Sequence, residues 1–296
     1  MLESAKLRRQ SVLMLLFTAA LWSTSGLWIK VISWSPLAIL GARSLIAIFV
    51  LWTYVRKPTL RVSKIQLLAS ICYVATQILF VWATKLTTAA NAIFLQYASP
   101  IYVVIFGYIF LKERPQKADW IAMGMIFSGL FLFFGDKLSF DGFAGNMLGI
   151  LSGVTFAVVM LIMRGEKDNS PANIIFIGNI IGAMVGLPFV LKESITLPNI
   201  GILLYLGIFQ IGLSFVLYSS AIKHVHVLEA NLILALEPIL NPFWVFLVLG
   251  EIPGPLALAG CALVILAVTY RAFVSTRPTG RGSDSSPIAD SSQSGA

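Results

Sequence analysis

Residues 98–115 read ASPIYVVIFGYIFLKERP, and residues 236–253 read LEPILNPFWVFLVLGEIP. Each stretch has a proline near its start, then a long apolar segment without charge, and ends with an acidic residue and a proline two positions later. A shift of 138 residues superimposes the two stretches and aligns Pro100 with Pro238. This repeated pattern predicts two copies of one structural unit in the chain.

The rest of the chain is also apolar, since 58% of its 296 residues are hydrophobic and only 11% are charged. Soluble domains have about 25% charged residues, so the composition excludes an ordinary soluble protein. A bilayer core of about 30 Å needs about 20 apolar residues of helix. The sequence therefore predicts an all-α integral membrane protein of ten transmembrane helices. The ten apolar runs are 11–31, 36–54, 65–84, 88–111, 118–135, 145–163, 172–191, 199–221, 227–249 and 254–271.

The ten runs divide the chain into two halves of five. A unit with an odd number of crossings ends on the other side of the membrane, so its second copy must be inverted. Inverted repeats are typical of secondary transporters, whose substrate site lies near the bilayer midplane between the repeats. The predicted order is an N-terminal segment (1–10), a first repeat (11–135), an outer loop (136–144), a second repeat (145–271) and a disordered Ser-, Gly- and Pro-rich tail (272–296).

Lysine and arginine residues between the runs predict the orientation. Sixteen of them fall on the side of the N-terminus and four on the opposite side. Because cytoplasmic loops carry the excess of positive charge, both termini are predicted to be cytoplasmic, in a multi-pass protein of the plasma membrane. The formal charge of +8 is explained by this asymmetry, so we predict the lipid bilayer and no nucleic acid as a partner.

Polar and aromatic residues share helix faces inside several runs, and we predict that they line a substrate cavity. The alternative for each is an interhelical hydrogen bond or simple packing. The candidates are Trp22, Tyr73, Thr76, Gln77, Phe80, Ser99, Phe156, Gln210, Ser214, Tyr218, Glu237, Asn241 and Trp244.

Two charged residues, Arg43 and Glu237, lie in the interior of their runs, away from the ends. Glu237 is near the middle of the ninth run and directly precedes Pro238. It is a candidate for proton coupling or for binding a substrate ammonium group, and the alternative is a protonated or paired acid that fixes the proline kink. Arg43 in the second run could extend to the membrane surface, bond a backbone carbonyl or attract a substrate carboxylate. The sequence leaves open whether Arg43 and Glu237 form an ion pair.

Prolines in the fourth and ninth runs interrupt the helical hydrogen bonds. Pro100 and Pro238 occupy equivalent places in the two halves, and we predict that they act as hinges. A static kink that only shapes the cavity is the alternative.

Several functional motifs are missing from the sequence. It contains no G-x-x-x-x-G-K-[ST] phosphate loop, no H-E-x-x-H and no G-x-S-x-G. We therefore predict no enzyme activity, no cofactor, no metal site and no ATPase subunit. Two five-span halves in one chain can form a pathway without a partner, so a monomer is sufficient.

The five-plus-five arrangement, the prolines of the fourth and ninth runs, the endings LKERP and LGEIP, the Glu237-Pro238 pair and Arg43 together resemble the EamA type of the drug/metabolite transporter superfamily. The resemblance covers residues 11–271. It implies export or exchange of a small-molecule substrate by alternating access, and the chain is most similar to bacterial exporters of aromatic and other hydrophobic amino acids. Alternatives are a carrier of sugar phosphates or nucleotide sugars, a lipid flippase, and a membrane enzyme with a cryptic site.

Overall fold

The computed structural model describes residues 2–24, 28, 31–56, 63–87, 89–135, 142–167, 171–240, 244 and 254–276. These residues form helices joined by short connections, and no β-strand occurs among them. The helices in chain order are α1 (Leu2–Ser23), α2 (Pro36–Val55), α3 (Lys64–Leu86), α4 (Ala89–Gln96), α5 (Ser99–Phe106), α6 (Lys117–Phe134), α7 (Phe143–Gly165), α8 (Pro171–Val190), α9 (Leu197–Tyr205), α10 (Ser214–Ala221), α11 (Val227–Leu234) and α12 (Pro255–Thr276). Two π-helical segments, Gly107–Leu111 and Leu206–Leu213, continue α5 and join α9 to α10.

Seven helical segments among the described residues are long and apolar enough to cross a membrane. They are Pro36–Val55, Lys64–Ala83, Ala92–Leu111, Phe143–Gly165, Pro171–Val190, Leu197–Ala221 and Pro255–Val274. Helices are favoured there because a bilayer core offers no water to satisfy backbone groups. The predicted all-helical membrane protein is thus confirmed. Ten spans, the inversion of the halves and the cytoplasmic termini stay predictions.

The helices depart from the predicted runs mainly at their ends. α1 already begins at Leu2, within the predicted N-terminal segment, and α12 continues past residue 271 to Thr276. The start of α3 is set by a capping box, in which the Gln66 N–H donates to Ser63 Oγ at 3.1 Å and the Ser63 N–H donates to Gln66 Oε1 at 3.2 Å. Residues 136–141 of the predicted loop and 277–296 of the predicted tail lie outside the described residues.

Two helices are broken at equivalent places. Turns at residues 97–98 and 235–236 interrupt the fourth and ninth runs, and these positions differ by the same 138 residues that relate the two stretches of sequence. The backbone hydrogen bonds match as well: Ala98 N–H donates to Leu95 O at 3.3 Å and Leu236 N–H to Ile233 O at 3.2 Å. Each turn ends two residues before a proline, which has no N–H to continue the preceding helix.

Ion pairs gather several chain segments at one end of the bundle, which we call the ionic end. One cluster joins α1, α6, α11 and α12, with 2.9 Å between Arg8 and Glu229, 3.1 Å between Arg271 and Glu229, and 2.6 Å between Arg271 and Asp119. Arg271, Glu229 and Asp119 are all buried. Taking charges out of water is costly, so such a cluster persists only with several matched partners.

A second cluster at the ionic end is centred on Glu113. Its Oε1 accepts from Arg164 Nε at 2.9 Å, and its Oε2 lies 3.3 Å from His226 Nδ1 and accepts from the Val227 N–H at 3.1 Å. Arg164 also donates to the carbonyl oxygens of Ile222 and Lys223 at 2.8 Å. The cluster therefore ties the ends of α5, α7 and α10 to the start of α11.

The two halves of the chain cross closely at two places where glycines face each other. On α2, a Cβ added to Gly41 would lie 2.7 Å from Gly186 Cα on α8. On α6, a Cβ added to Gly129 would lie 2.9 Å from Gly260 O on α12. Small residues allow helix backbones to approach in this way. Because helices in lipid gain no hydrophobic driving force from association, this close van der Waals packing is what holds them together.

Candidate functional site

A central cavity of about 130 Å³ lies between α1, α3, α7 and the α9–α10 segment, next to the two helix breaks. Its wall combines aromatic, aliphatic and polar side chains. The lining residues are Trp22, Tyr73, Thr76, Gln77, Gln96, Tyr97, Phe156, Val159, Met160, Met163, Gln210, Ile211, Phe215, Tyr218 and Glu237.

Aromatic rings form one continuous part of the wall. The Trp22 ring centroid lies 5.0 Å from that of Phe215, 6.1 Å from Tyr218 and 6.3 Å from Phe156. Tyr73 packs edge-on against Phe215 at 5.2 Å. Tilted and edge-to-face pairs in this range attract each other beyond simple burial. The rings therefore form a preorganised apolar surface, on which another ring or a branched aliphatic group can pack.

Hydrogen bonds fix the position of Trp22. Its indole Nε1–H donates to Ser214 Oγ at 2.7 Å, and Ser214 Oγ in turn donates to the Gln210 carbonyl at 2.5 Å. Thr18 Oγ1 donates to the Ser214 carbonyl at 3.3 Å. Because the indole N–H is satisfied inside the protein, the ring holds one orientation without help from a ligand.

Glu237 is the one acidic side chain among the described lining residues. It follows the break at residues 235–236, and Tyr97, in the equivalent break of the other half, donates its hydroxyl to Glu237 Oε2 at 2.5 Å. This short hydrogen bond links the two broken helices directly. The other carboxylate oxygen, Oε1, takes no part in this bond. It can therefore accept a proton, or a hydrogen bond from a cationic group in the cavity.

Arg43 lies behind the cavity wall and contacts two of its side chains. It donates to Gln77 Oε1 through one terminal nitrogen and to Gln210 Oε1 at 3.4 Å through the other. Among the described residues Arg43 has no acidic partner, and Glu237 bonds Tyr97 instead. The sequence left open whether Arg43 and Glu237 form an ion pair. In the structure they do not pair, because each bonds a different residue.

The structure brings eight of the predicted site residues to the cavity: Trp22, Tyr73, Thr76, Gln77, Phe156, Gln210, Tyr218 and Glu237. Ser214 lies behind Trp22. The Ser99 hydroxyl donates to Asn231 Oδ1 at 3.1 Å, and Trp244 donates its Nε1–H to Ser23 Oγ at 2.8 Å, so both make the interhelical bonds that were the alternative. Phe80 is half-buried on α3 away from the lining, and Asn241 lies outside the described residues.

Sequence reasoning missed several lining residues, although the sequence contains patterns that could have indicated some of them. Met160 and Met163 follow Phe156 at helical spacing on α7 and so share its face. Phe215 is five residues after Gln210, the spacing that a π-helix brings into register, and the π-helical segment Leu206–Leu213 was not predicted. Gln96 directly precedes the first break and Tyr97 lies in it, and both side chains line the cavity.

Among the described residues no group of three His, Cys, Asp or Glu side chains could hold a metal ion. The polar groups of the cavity are a carboxylate, amides and hydroxyls. These groups bind and orient a small polar molecule through hydrogen bonds, and the aromatic wall accommodates its apolar part.

The family comparison follows the same division of the chain into halves. The model of the EamA-like transporter family matches residues 9–135 and, separately, residues 143–271. The chain belongs to the EamA-like transporter family. The resemblance deduced from the sequence motifs is thereby confirmed, and this EamA-like protein carries the family unit twice.

Relatives of this EamA-like protein are named as transporters. It is 27% identical over 195 residues to an uncharacterized transporter of Archaeoglobus fulgidus, an alignment that covers 64% of this chain and 69% of the relative. It is 24% identical over 184 residues to the pseudopaline exporter CntI of Pseudomonas aeruginosa, covering 60% of this chain and 64% of the exporter, less than two thirds of its length.

A third relative is aligned over more of the chain. The probable terminal-alkyne amino-acid exporter of Streptantibioticus cattleyicolor is 27% identical over 240 residues, which are 78% of this chain and 80% of the exporter. One solved crystal structure superimposes on this chain with a TM-score of 0.77 at 19% sequence identity. The superposition covers 91% of this chain and the full length of the other chain. The solved structure shows likeness of fold alone, whereas the family and the named relatives are those of membrane transporters.

Proposed function

We propose that the protein exports small amphipathic metabolites, aromatic or other hydrophobic amino acids in particular, by alternating access across the bacterial inner membrane. The observation that carries this proposal is the combination of an aromatic wall with a single carboxylate in one central cavity. A cavity of about 130 Å³ is close to the ~150 Å³ that holds benzene in another protein, so an aromatic side chain fits it.

The site residues have separate roles in this proposal. Trp22, Phe156, Phe215 and Tyr218 contact the apolar side chain of the substrate. Glu237 binds the substrate ammonium group, or carries the coupling proton, and Tyr97 orients it. Two relatives are named as exporters, one of them of an amino acid, which supports the direction and the class of substrate.

The proposed architecture is two inverted repeats of five spans with both termini in the cytoplasm. Three observations support it: the family model matches twice, the helix breaks occur at equivalent residues, and ion pairs bring alternate helix ends to one side. The packing is also symmetric, because α2 pairs with α8 and α6 with α12, which are corresponding helices of the two halves. In this arrangement the ionic end faces the cytoplasm.

Alternating access then requires the ionic end and the opposite end to open in turn. Pro100 and Pro238 are proposed as hinges, since each follows a break that leaves a helix free to bend. The Tyr97–Glu237 bond connects these two hinges and lies at the cavity. Movement of one broken helix relative to the other therefore changes the surroundings of the carboxylate.

A carrier of phosphorylated sugars is less compatible with this site. The described lining contains no lysine or arginine, whereas a dianionic phosphate is usually bound by several charge-assisted donors. A membrane enzyme would need paired catalytic groups, and Glu237 is the one acid among the described lining residues.

Transport in reconstituted liposomes tests the proposal. Liposomes are loaded with labelled phenylalanine, tryptophan, serine or a sugar phosphate, and release is followed with and without a pH gradient. We expect release of phenylalanine and tryptophan only, and slower release by a Trp22→Ala variant. Phe110→Ala, on the exposed outer surface, is the matched control and is expected to transport like the wild type. Release of the sugar phosphate alone, or of none of the four, would contradict the proposed substrate class.

A further inference from the structure

Arg43 and the two glutamines that it contacts form a group that the aromatic wall and Glu237 do not explain. We propose that Gln77 and Gln210 form a binding subsite for the substrate carboxylate, and that Arg43 is the positioning residue that orients both amides and supplies the charge. The inference rests on the proposed function, because the carboxylate in question belongs to an amino-acid substrate.

The orientation of the amides follows from the chemistry of arginine. A guanidinium only donates hydrogen bonds, so each glutamine must face Arg43 with its oxygen. Gln77 and Gln210 do so, and their Nε2 groups are therefore directed away from Arg43. Both side chains line the cavity. Two amide donors held in this way can bind the two oxygens of one carboxylate.

Two donors of this group make no hydrogen bond within the described protein. Gln77 Nε2 and Arg43 Nε are buried and have no hydrogen-bond partner among the described residues. A buried donor without an acceptor costs about 1–3 kcal/mol, more when it is charged. An anion bound at the amides would satisfy Gln77 Nε2 and remove this cost.

The charge of Arg43 favours the same ligand. Its two described hydrogen bonds go to neutral amides, so the protein provides no nearby negative charge in direct contact with it. Arg43 is partly buried, and a charge taken partly out of water is stabilised by a counterion. A carboxylate at the amides would act as its counterion across one layer of side chains.

The cavity therefore has two polar features with opposite preferences. Glu237 attracts the ammonium group, Gln77 and Gln210 the carboxylate, and the aromatic rings the side chain. All of these side chains except Arg43 belong to the wall of the same cavity of about 130 Å³, so one small zwitterion can contact them together.

Equilibrium binding to the purified full-length protein in nanodiscs tests the subsite. Three ligands share a phenyl ring: L-phenylalanine, phenethylamine, which lacks the carboxylate, and 3-phenylpropionate, which lacks the ammonium group. The wild type is expected to bind L-phenylalanine most tightly. Gln77→Glu places a negative charge where the carboxylate binds, so affinity for L-phenylalanine and 3-phenylpropionate should fall at least tenfold while phenethylamine binds as well or better.

Arg43→Lys tests the positioning role, because lysine keeps the charge but lacks the planar fork that reaches both amides. We expect weaker binding of the two carboxylates and unchanged binding of phenethylamine. Ser44→Ala is the matched control: Ser44 is the next residue of α2, is buried, and its hydroxyl has no hydrogen-bond partner among the described residues. It should leave all three affinities as in the wild type.

The outcomes separate the subsite from the proposed function. If folded Gln77→Glu and Arg43→Lys proteins bind all three ligands with an unchanged ratio of affinities, the subsite is wrong although phenylalanine still binds the wild type. If the wild type binds none of the three, the proposed substrate class is wrong and the subsite with it. Loss of thermal stability with equal weakening for every ligand would assign Arg43 a structural role only and overturn the inference.

Discussion

At the residue scale, Glu237 is the side chain whose charge matters most to the proposed substrate. Replacing it by glutamine keeps the size and an acceptor for Tyr97 but removes the charge. A hydrogen bond to a charged group contributes about 1.5–3 kcal/mol, and 1.4 kcal/mol is a factor of ten. We expect Glu237→Gln to weaken L-phenylalanine binding roughly ten- to a hundredfold and to leave 3-phenylpropionate binding undiminished, measured by equilibrium binding.

Tyr97→Phe is the matched control, because it removes the 2.5 Å hydrogen bond and keeps the carboxylate. This variant should retain the preference for ligands that carry an ammonium group. An equal loss of affinity for both ligands in Glu237→Gln would show that the acid supports the structure and does not contact the substrate.

Sequence reasoning identified residues of the cavity wall better than their hydrogen-bond partners. Trp22, Gln77 and Glu237 could be predicted because polar or large aromatic groups within apolar runs need a reason. The bond between Arg43 and Gln77 could not, because these residues are on different helices and pairing depends on how the helices cross.

At the element scale, the two helix breaks give the hinge hypothesis a direct test. Pro100→Ala and Pro238→Ala restore the N–H donors that the breaks lack, so the helices should stiffen. We expect liposome export to fall severalfold or more in the double variant while expression and monodispersity stay normal. Pro188→Ala serves as the control, since Pro188 lies inside the continuous helix α8. Normal export by the double variant would assign the prolines a static role.

The close helix crossings predict where the fold is least tolerant. A Cβ at position 41 would lie 2.7 Å from Gly186 Cα, so Gly41→Ala must push α2 away from α8. Overpacking of this kind costs about 1–3 kcal/mol. A lower melting temperature is expected in detergent, whereas Gly124→Ala, which meets nothing within 4 Å, should melt at or slightly above the wild-type temperature. Equal melting of the two variants would contradict the crossing geometry.

The positions of the helices followed from sequence because lipid allows almost no other backbone structure. The breaks at 97–98 and 235–236 were also indicated, by Pro100 and Pro238. The π-helical segment Leu206–Leu213 was not, since it has no proline and its apolar residues suit a regular helix equally well. Phe215, two residues after this segment, lines the cavity.

At the scale of the whole molecule, the Glu113 cluster predicts acid sensitivity outside the membrane-spanning segments. Burial raises the pKa of Glu113, but hydrogen bonds from His226 and Arg164 and their charges outweigh it and lower the pKa from 4.5 to about 2. A carboxyl with a depressed pKa stabilises the fold above its unfolded pKa, and this stability is lost as the pH falls from about 4.5 towards 2. The stability at stake is at most roughly 3 kcal/mol.

Melting temperatures measured between pH 2 and pH 6 test this effect. The melting temperature should fall by on the order of several degrees over this range. The wild type should lose stability below pH 4.5, and Glu113→Gln should be less stable at pH 6 and show a shallower decline. Glu193→Gln, near the opposite end, provides a control with another carboxylate that accepts a backbone hydrogen bond, from the Ser35 N–H at 2.7 Å. Parallel curves for the wild type and Glu113→Gln would show that the cluster is not the acid-sensitive element.

The ion pairs at the ionic end have a consequence for the proposed transport cycle. If that end faces the cytoplasm, as proposed, loading substrate from inside requires a form in which Arg8, Arg271 and Arg164 have left their partners. The apparent affinity for internal substrate is then the intrinsic affinity reduced by the small fraction of that form. Such a carrier works as a relief valve: the outward flow is small at ordinary metabolite levels and grows in proportion as the internal pool rises.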